Sequence, residues 1–317
     1  MTHFWQFRLR QARQQKARQQ KARQRSYIAL WRGLFALALP LLLGATSVHA
    51  NGDTGTIEQR TFDSSLLARP FVYSVYLPAG YDPQQAQQYP VLYLLHGASG
   101  NERSWAGEGD VQATLDELIG SGTVPPMLVV MPADPNFWWA DSHRESVRTA
   151  LTDELLPHVD STYRTRATRD GRLMAGYSAG GFGTVNTVMG RPDLFAAAAL
   201  LSPAVYHPVP PMSSSATRSP LFQTEGEFDP ERWQALNWVS FIDDYLASGV
   251  TVPMYINSGD HDRFDIAYHA AALFQTLREH QAEEVELRIF DGDHDFAAWG
   301  GSLGDALRYL SGFLAQQ

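Results

Sequence analysis

Residues 172–190 constrain the fold of this chain more than any other stretch, because they read RLMAGYSAGGFGTVNTVMG. A short apolar run, 173–175, is followed by a glycine-rich turn and then by a segment that suits a helix. The turn fits the pattern G-x-S-x-G, which places a serine on a sharp strand-to-helix turn with its hydroxyl exposed. Glycines flank the serine because side chains there would collide with the neighbouring strand and helix. The pattern predicts that Ser178 is a nucleophile and that the rest of the chain is arranged around it.

Apolar strands and amphipathic helices alternate from Tyr89 to the C-terminus. Fully apolar strands are typical of a sheet covered by helices on both faces, and strand–helix alternation is typical of a doubly wound α/β sheet. Between Ile57 and Leu77 the pattern instead favours paired antiparallel strands. We therefore expect a mostly parallel, doubly wound sheet with antiparallel strands at its N-terminal edge. The predicted strands are 89–95, 127–131, 173–175, 195–201, 252–257 and 285–290, and the predicted helices are 111–119, 146–163, 233–248, 265–280 and 304–314.

Polar residues that can carry chemistry follow several of the predicted strands. They are His96, Ser178, Asp260, Asp262 and His294. In open α/β sheets, ligands bind at the carboxyl ends of the strands. A serine hydroxyl is a weak nucleophile at neutral pH and needs a base, which in turn needs an orienting acid. The chain order on this fold is serine, acid, histidine, so His294 is the candidate general base.

The acid is open to more than one interpretation, because the sequence Gly-Asp-His-Asp occurs twice in the C-terminal part of the chain. Asp260, Asp262 and Asp265 all follow the same predicted strand. We favour Asp262, which lies deeper in the loop and can turn back toward the histidine, and Asp260 is the alternative. His261 is a rival base, but it comes too early in the chain order of such triads.

A tetrahedral intermediate needs two hydrogen-bond donors for its oxyanion. One is expected to be the backbone N–H of Ala179, directly after the nucleophile, and the other the N–H of Ala98 in the glycine-rich loop after strand 89–95. Residues 205–230 are rich in proline and serine with little periodicity, which is typical of a functional or mobile loop. Aromatic residues near the strand ends either line a substrate pocket or pack under a loop. The candidate substrate-binding residues are His96, Phe137, Trp138 and Trp139.

Composition excludes several kinds of chemistry. The chain contains no cysteine, which excludes a thiolate nucleophile, a disulfide framework and a cysteine-based metal site. Its only lysines, Lys16 and Lys21, lie in the N-terminal segment, so the body has no lysine for a Schiff base or a P-loop. An aspartate-rich run at 291–295 matches the start of a calcium loop, but Phe296 and Ser302 stand where that loop needs glycine and glutamate. We expect neither a metal nor another cofactor.

Charge is divided unevenly along the chain. Residues 1–50 hold nine basic residues and no acidic one, whereas the remainder holds 16 arginines and 34 acidic residues. A strongly acidic body argues against nucleic acid and anionic membranes as partners, because both carry negative charge.

The N-terminal segment has the organisation of a secretory signal peptide. Residues 1–32 are basic and glutamine-rich, 33–44 are apolar, and 48–50 form the small-x-small ending Val-His-Ala. We predict cleavage after Ala50, which leaves 51–317 as a single catalytic domain that is periplasmic or secreted. The alternative is an uncleaved membrane anchor, although the apolar run is short for a spanning helix.

Together these motifs resemble the esterase D-like family of serine hydrolases, which includes feruloyl and acetylxylan esterases, S-formylglutathione hydrolases, enterochelin-type esterases and mycolyltransferases. The resemblance covers about residues 57–314. It implies the α/β-hydrolase fold. The motifs that carry it are YLLHGASG at 93–100, the following Trp105, VVMP at 129–132, the GYSAGG elbow, the loop 259–262 and GDHDFAAW at 292–299.

The family's site residues can be carried over position by position. Its acid ends a Gly-x-x-Asp turn, which favours Asp262, and its histidine lies in Gly-x-His-Asp, which favours His294. Its oxyanion donors correspond to Ala98 and Ala179. The resemblance also adds Trp105 to the candidate substrate-binding residues.

Three functions are compatible with these patterns. The first is an exported carboxylesterase that acts on a small-molecule or glycan-linked ester through an acyl-enzyme on Ser178. The second is an acyltransferase that uses the same three residues with an alcohol acceptor in place of water. The third is a non-catalytic binding protein on a hydrolase scaffold, which intact motifs disfavour.

Overall fold

Ten strands are found in the computed structural model, which describes residues 54–136, 138–143 and 145–315. All of these residues lie in one compact unit, Ala50–Gln317. The predicted signal peptide, residues 1–50, lies outside them, as does Phe137. Across the described ranges, no helix is both long enough and apolar enough to cross a membrane. In chain order the strands are β1 (Thr56–Asp63), β2 (Pro70–Leu77), β3 (Val91–Leu95), β4 (Leu128–Pro132), β5 (Arg172–Tyr177), β6 (Ala197–Leu201), β7 (Gln223–Thr224), β8 (Glu227–Phe228), β9 (Met254–Gly259) and β10 (Val285–Phe290).

Eight of the strands form one sheet, in the order β1-β2-β4-β3-β5-β6-β9-β10. The pairings of β1 with β2 and of β2 with β4 are antiparallel. The other five pairings are parallel. This confirms the expected mostly parallel sheet with antiparallel strands at its N-terminal edge. The strands β7 and β8 pair separately as a small hairpin.

Both faces of the sheet are buried because its central strands are apolar throughout. Every residue of β3, β4 and β6 is buried. Side chains alternate between the faces, so Tyr93 and Met174 pack in one hydrophobic layer and Leu92 and Leu173 in the other. The carboxyl ends of the parallel strands therefore emerge together at one edge, between two covered faces.

Helices cover each layer. The first layer includes Val185 and Leu273, and the second includes Leu115 and Leu307. These side chains come from four helices, at 179–190, 266–278, 111–120 and 296–311 respectively. The helices are α1 (Ser104–Gly107), α2 (Val111–Gly120), α3 (Val147–Ala150), α4 (Leu156–Thr162), α5 (Ala179–Gly190), α6 (Pro230–Ala235), α7 (Ile242–Ala247), α8 (Ile266–Arg278) and α9 (Phe296–Ser311), with a π-helical turn at Leu151–Leu155 and 3-10 turns at Arg169–Gly171, Ser215–Arg218, Pro220–Phe222, Trp238–Ser240 and Ala282–Glu284.

The last helix begins at Phe296, earlier than the predicted 304, so that expectation is wrong at its N-terminal end. Asp295 caps the helix, because its carboxylate accepts a hydrogen bond from the N–H of Ala298 at 3.1 Å. Three glycines within the first nine residues of α9 concealed the helix in the sequence, since glycine lowers helix propensity. The helix therefore starts two residues after His294, with its Asp295 cap next to the histidine.

The single helix predicted for residues 233–248 is also wrong, because α6 and α7 are separated by a 3-10 turn. Asn237 interrupts the helix between them. Its Oδ1 accepts a hydrogen bond from the N–H of Trp238 at 2.9 Å, and its Nδ2 donates to the carbonyl of Tyr206 at 2.7 Å. A polar side chain that bonds to backbone competes with helix formation in this way.

Residues 205–230 form a packed cap that contains two 3-10 turns and the β7–β8 hairpin. The cap is held by an aromatic cluster in which Phe222 contacts Trp138, at 5.2 Å between ring centroids, and Trp233, at 4.7 Å. Ser214 starts the first 3-10 turn by accepting a hydrogen bond from the N–H of Ala216. These contacts place the cap over the carboxyl end of the sheet.

Candidate active site

Ser178 stands on the turn between β5 and α5 with φ of 53° and ψ of −117°. A positive φ is strained for a residue with a side chain, and such strain persists only where the surroundings enforce it. Gly176 and Gly180 provide the room, since a Cβ on Gly176 would lie 2.5 Å from the backbone of Gly180. The N–H of Ser178 donates to the carbonyl of Leu201 at 2.9 Å, which ties the turn to β6.

The structure brings Ser178, His294 and Asp262 into one hydrogen-bonded line. Ser178 Oγ lies 2.9 Å from His294 Nε2, and His294 Nδ1 lies 2.6 Å from Asp262 Oδ2. Because the ionised carboxylate can only accept, Nδ1–H donates to it and Nε2 is left to accept the serine proton. The Asp262 side chain is fully buried, and the imidazole is nearly so. Burial keeps water from competing for these hydrogen bonds.

Packing fixes the orientation of the imidazole. Phe264 and Trp299 each meet the His294 ring edge to face at 4.9 Å between centroids. The backbone of His294 is also held, because Asp293 Oδ1 accepts its N–H at 2.7 Å. Asp262 is held as well, since its Oδ1 accepts the N–H of Phe264 at 3.0 Å. The ring can therefore rotate little without losing several contacts.

Asp260 and His261, the alternative acid and base, lie away from the serine and contact each other. Asp260 Oδ1 is 2.7 Å from His261 Nδ1 and accepts the N–H of Gly292 at 3.2 Å. That backbone hydrogen bond holds the pKa of the Asp260 carboxyl below its usual range. Both side chains are largely exposed. Asp260 thus links the two loops that follow β9 and β10.

Ala179 and Ala98, the predicted oxyanion donors, flank the nucleophile. Ala179 is the first residue of α5, and the first N–H groups of a helix have no partner within it. Ala98 lies in the loop after β3 and lines the same cavity as Ser178. Gly97 allows this approach, because a Cβ there would lie 3.1 Å from Ser178 Cβ and closer still to the Tyr177 ring.

Three of the predicted substrate-binding residues are buried behind the site and do not line the cavity at Ser178. Trp105 donates from its indole to the carbonyl of Leu95 at 3.1 Å, and Trp139 donates to the carbonyl of His96 at 2.9 Å. His96 Nε2 accepts the N–H of Asp134 at 3.0 Å. Burial lowers the pKa of His96 to about 4, so it is neutral at physiological pH. These side chains fix the loop that carries Ala98.

Asp134 organises a second loop, and the sequence analysis missed it. Its buried carboxylate accepts the N–H groups of Asn136, Trp138 and Trp139, each at 2.9 Å. Burial raises the pKa of this carboxyl. An aspartate before a proline at a strand end is typical of a turn in which the carboxylate binds following N–H groups. The result is that Trp138 faces the cavity.

A cavity of about 250 Å³ opens at Ser178. It adjoins a larger cleft of about 1010 Å³, and Ala98, Trp138, Ser215 and Arg218 border both. Sequence reasoning missed the lining residues from the cap, because no motif marks them. The wall of the smaller cavity is formed by Ala98, Trp138, Tyr177, Ala204, Tyr206, Ser213, Ser214, Ser215, Arg218, Arg263, Phe264, His294 and Trp299.

Asp260, His261 and Asp291 are the one group in the described ranges whose side chains stand close enough to hold a metal ion, and all three are exposed. Asp293 and Asp295 have other roles, since they bind the N–H groups of His294 and Ala298. The aspartate-rich run thus serves as a turn and a helix cap.

Comparison with known proteins places this chain among esterases. A model of the family described as "Putative esterase" matches residues 64–310, more than half of the chain. An endo-1,4-beta-xylanase/feruloyl esterase of Xylanibacter ruminicola is 36% identical over 162 residues, which are 49% of this chain and 22% of that protein. An esterase of Mycobacterium tuberculosis is 32% identical over 148 residues, 45% of this chain and 31% of that protein. The chain thus spans less than a third of the length of these curated relatives.

Solved structures of similar fold include an esterase and a second hydrolase. A ferulic acid esterase superposes with a TM-score of 0.73 at 25% identity, covering 83% of this chain and 99% of that one. An S-formylglutathione hydrolase from Agrobacterium tumefaciens superposes with a TM-score of 0.66 at 19% identity, covering 83% and 97%. The second match concerns the fold alone.

Proposed function

The chain belongs to the esterase family, and from that premise we propose that it hydrolyses carboxylic esters with Ser178 as nucleophile, His294 as general base and Asp262 as the orienting acid. The observation that carries this proposal is the pair of hydrogen bonds, 2.9 Å from Ser178 Oγ to His294 Nε2 and 2.6 Å from His294 Nδ1 to Asp262 Oδ2. A serine, a base and an orienting acid in this arrangement suit acyl transfer.

In the first half-reaction, His294 Nε2 takes the proton of Ser178 as the oxygen attacks the ester carbonyl. The oxyanion that forms accepts hydrogen bonds from the N–H groups of Ala98 and Ala179, which matter most in the transition state. The intermediate collapses, the C–O bond to the alcohol breaks, and His294 returns the proton to the leaving oxygen. An acyl-enzyme on Ser178 remains.

In the second half-reaction, water attacks the acyl-enzyme while His294 takes its proton. Collapse of this second intermediate releases the acid and restores Ser178. Asp262 stays ionised in both halves, holds the imidazole in the required tautomer and stabilises the imidazolium that forms.

For the substrate, we propose a small-molecule or glycan-linked ester. The names of the relatives support this, since the Xylanibacter ruminicola protein is called a xylanase/feruloyl esterase and a superposable structure a ferulic acid esterase. We further propose that the enzyme is exported to the periplasm or the medium, because residues 1–50 combine a basic segment, an apolar run and a small-x-small ending.

Replacement of the nucleophile tests the proposal. Purified Ser178→Ala should lose at least about 10³-fold in kcat for 4-nitrophenyl acetate, because removal of a triad nucleophile leaves only binding and the oxyanion donors. Ser121→Ala, at the exposed end of α2, is the matched control and should keep wild-type kcat. A fluorophosphonate probe followed by peptide mass mapping should label Ser178. A Ser178→Ala protein that hydrolyses the ester at the wild-type rate would refute the assignment.

A further inference from the structure

Arg218 is a cation that lines the cavity at Ser178, and none of the described carboxylates forms an ion pair with it. It is exposed, and its Nη1 makes a weak contact with the carbonyl of Met212 at 3.4 Å. Within residues 54–136, 138–143 and 145–315 it takes part in none of the ion pairs. Its guanidinium is therefore exposed at the cavity without an ion-pair partner among the described residues.

An unpaired positive charge such as that of Arg218 contrasts with the acidic composition of the chain and with the paired arginines nearby. The body of the chain is strongly acidic, with 34 acidic residues and 16 arginines after residue 50. Arg69, which lines the larger cleft, is paired with Glu145 at 3.0 Å and 3.2 Å. Arg263, which also lines the small cavity, lies 3.5 Å from Asp293. No acidic side chain is among the described residues that line the small cavity.

Arg218 is also held in place by local structure. It is the last residue of the 3-10 turn Ser215–Arg218. Both the side chain and the backbone carbonyl of Ser214 form hydrogen bonds with that turn. Ser214 Oγ accepts the N–H of Ala216 at 3.2 Å, and the Ser214 carbonyl accepts the hydroxyl of Thr217 at 2.9 Å. A guanidinium on a fixed turn loses less freedom on binding a ligand than one on a mobile loop.

The position of Arg218 indicates which part of an ester it meets. In the proposed reaction the leaving alcohol receives its proton from His294, so the alcohol lies on the His294 side. Arg218 borders both the small cavity and the larger cleft, and His294 does not line that cleft. We therefore place the acyl group on the side of the larger cleft, which Trp138 and Arg218 border.

Resting on the proposed function, we propose that Arg218 determines specificity by binding a carboxylate on the acyl part of the substrate. The guanidinium offers parallel N–H donors that match the two oxygens of a carboxylate. The preferred substrates are then monoesters of dicarboxylic acids, or esters of other acids that carry a second, ionised group several bonds from the scissile carbonyl.

A pair of esters of equal length tests this. The ratio of kcat/KM for 4-nitrophenyl monoadipate to that for 4-nitrophenyl heptanoate measures the preference for the anionic acyl group. In Arg218→Gln we expect this ratio to fall about 10-fold, which is the size of a charge-assisted hydrogen bond that is partly screened by solvent. Arg218→Lys should restore part of the ratio, since it keeps the charge but not the fork. Added NaCl should lower the wild-type ratio.

Two controls separate local binding from general electrostatics. Arg308→Gln removes one positive charge from an exposed site on α9 and should leave the ratio at its wild-type value. A second ester pair places the charge on the alcohol side, as heptanoyl esters of 4-hydroxybenzoate and 4-hydroxybenzamide. Its ratio should not respond to Arg218→Gln.

The outcomes are distinct. Wild-type protein that hydrolyses both acyl esters with a ratio unchanged in Arg218→Gln overturns the inference and leaves the esterase proposal standing. A response of the alcohol-side pair alone also overturns it, because the cation would then meet the leaving group. Wild-type protein that hydrolyses none of these esters contradicts the proposed function itself, and the inference with it.

Discussion

At the scale of single residues, the three groups of the candidate site come from loops after three different strands, β5, β9 and β10. The sequence allowed their chemistry to be predicted because serine, acid and histidine each followed an apolar strand in a known order. It did not allow Asp134 or Arg218 to be predicted. Both lie outside the α-helices and strands, where no sequence periodicity indicates the direction in which a side chain points.

The choice between Asp262 and Asp260 gives a prediction at this scale. Asp262→Asn should lower kcat by as much as about 10⁴-fold with little change in KM, because the amide stabilises the wrong tautomer of His294. Asp260→Asn should mainly lower Tm, since Asp260 binds the N–H of Gly292 and thereby joins two loops. Steady-state kinetics and thermal denaturation of both variants measure these effects. If Asp260→Asn loses turnover and Asp262→Asn only stability, Asp260 is the acid.

At the scale of secondary structure, the strands could be predicted from the sequence more reliably than the helices. Buried strands such as Val91–Leu95 are apolar throughout, so their position follows from composition alone. Helices were harder to predict where tertiary contacts override propensity. The start of α9 depends on the Asp295 cap despite three glycines, and the break before α7 depends on the hydrogen bond from Asn237 Nδ2 to the distant carbonyl of Tyr206.

Removal of the α9 cap tests this account. Asp295→Ala should lower the free energy of unfolding by about 1 kcal/mol, the usual value of an N-cap side chain. In a domain of this size that corresponds to a Tm lower by about 2–4 °C. Asp291→Ala is the matched control, because that side chain is 98% exposed and caps no helix. Equal Tm values for the two variants in calorimetry would show that the cap contributes nothing.

At the scale of the whole molecule, the fold class was predictable and the strand order was not. Alternation of strands and helices predicts a doubly wound sheet, but nothing local to β4 states that it pairs with both β2 and β3. Pairing partners are chosen by the packing of the complete sheet. The resemblance to esterases was confirmed by the family match over residues 64–310.

The export proposal also belongs to this scale. Protein recovered from the periplasm or medium of a producing bacterium should begin at Asn51, because residues 48–50 form the expected cleavage signal. Edman sequencing or intact mass measures this directly. An exported form that retains residues before Ala50 would reject the cleavage site, and recovery with the membrane fraction would favour an anchor.

The separation of the proposed nucleophile and base along the chain has a consequence for biosynthesis. Ser178 and His294 are 116 positions apart, and the histidine follows the last strand of the sheet. During synthesis, Ser178 is therefore made before the imidazole that we propose activates it. Under the proposed mechanism, a nascent polypeptide cannot hydrolyse esters until His294 has been made and the strand that precedes it has docked.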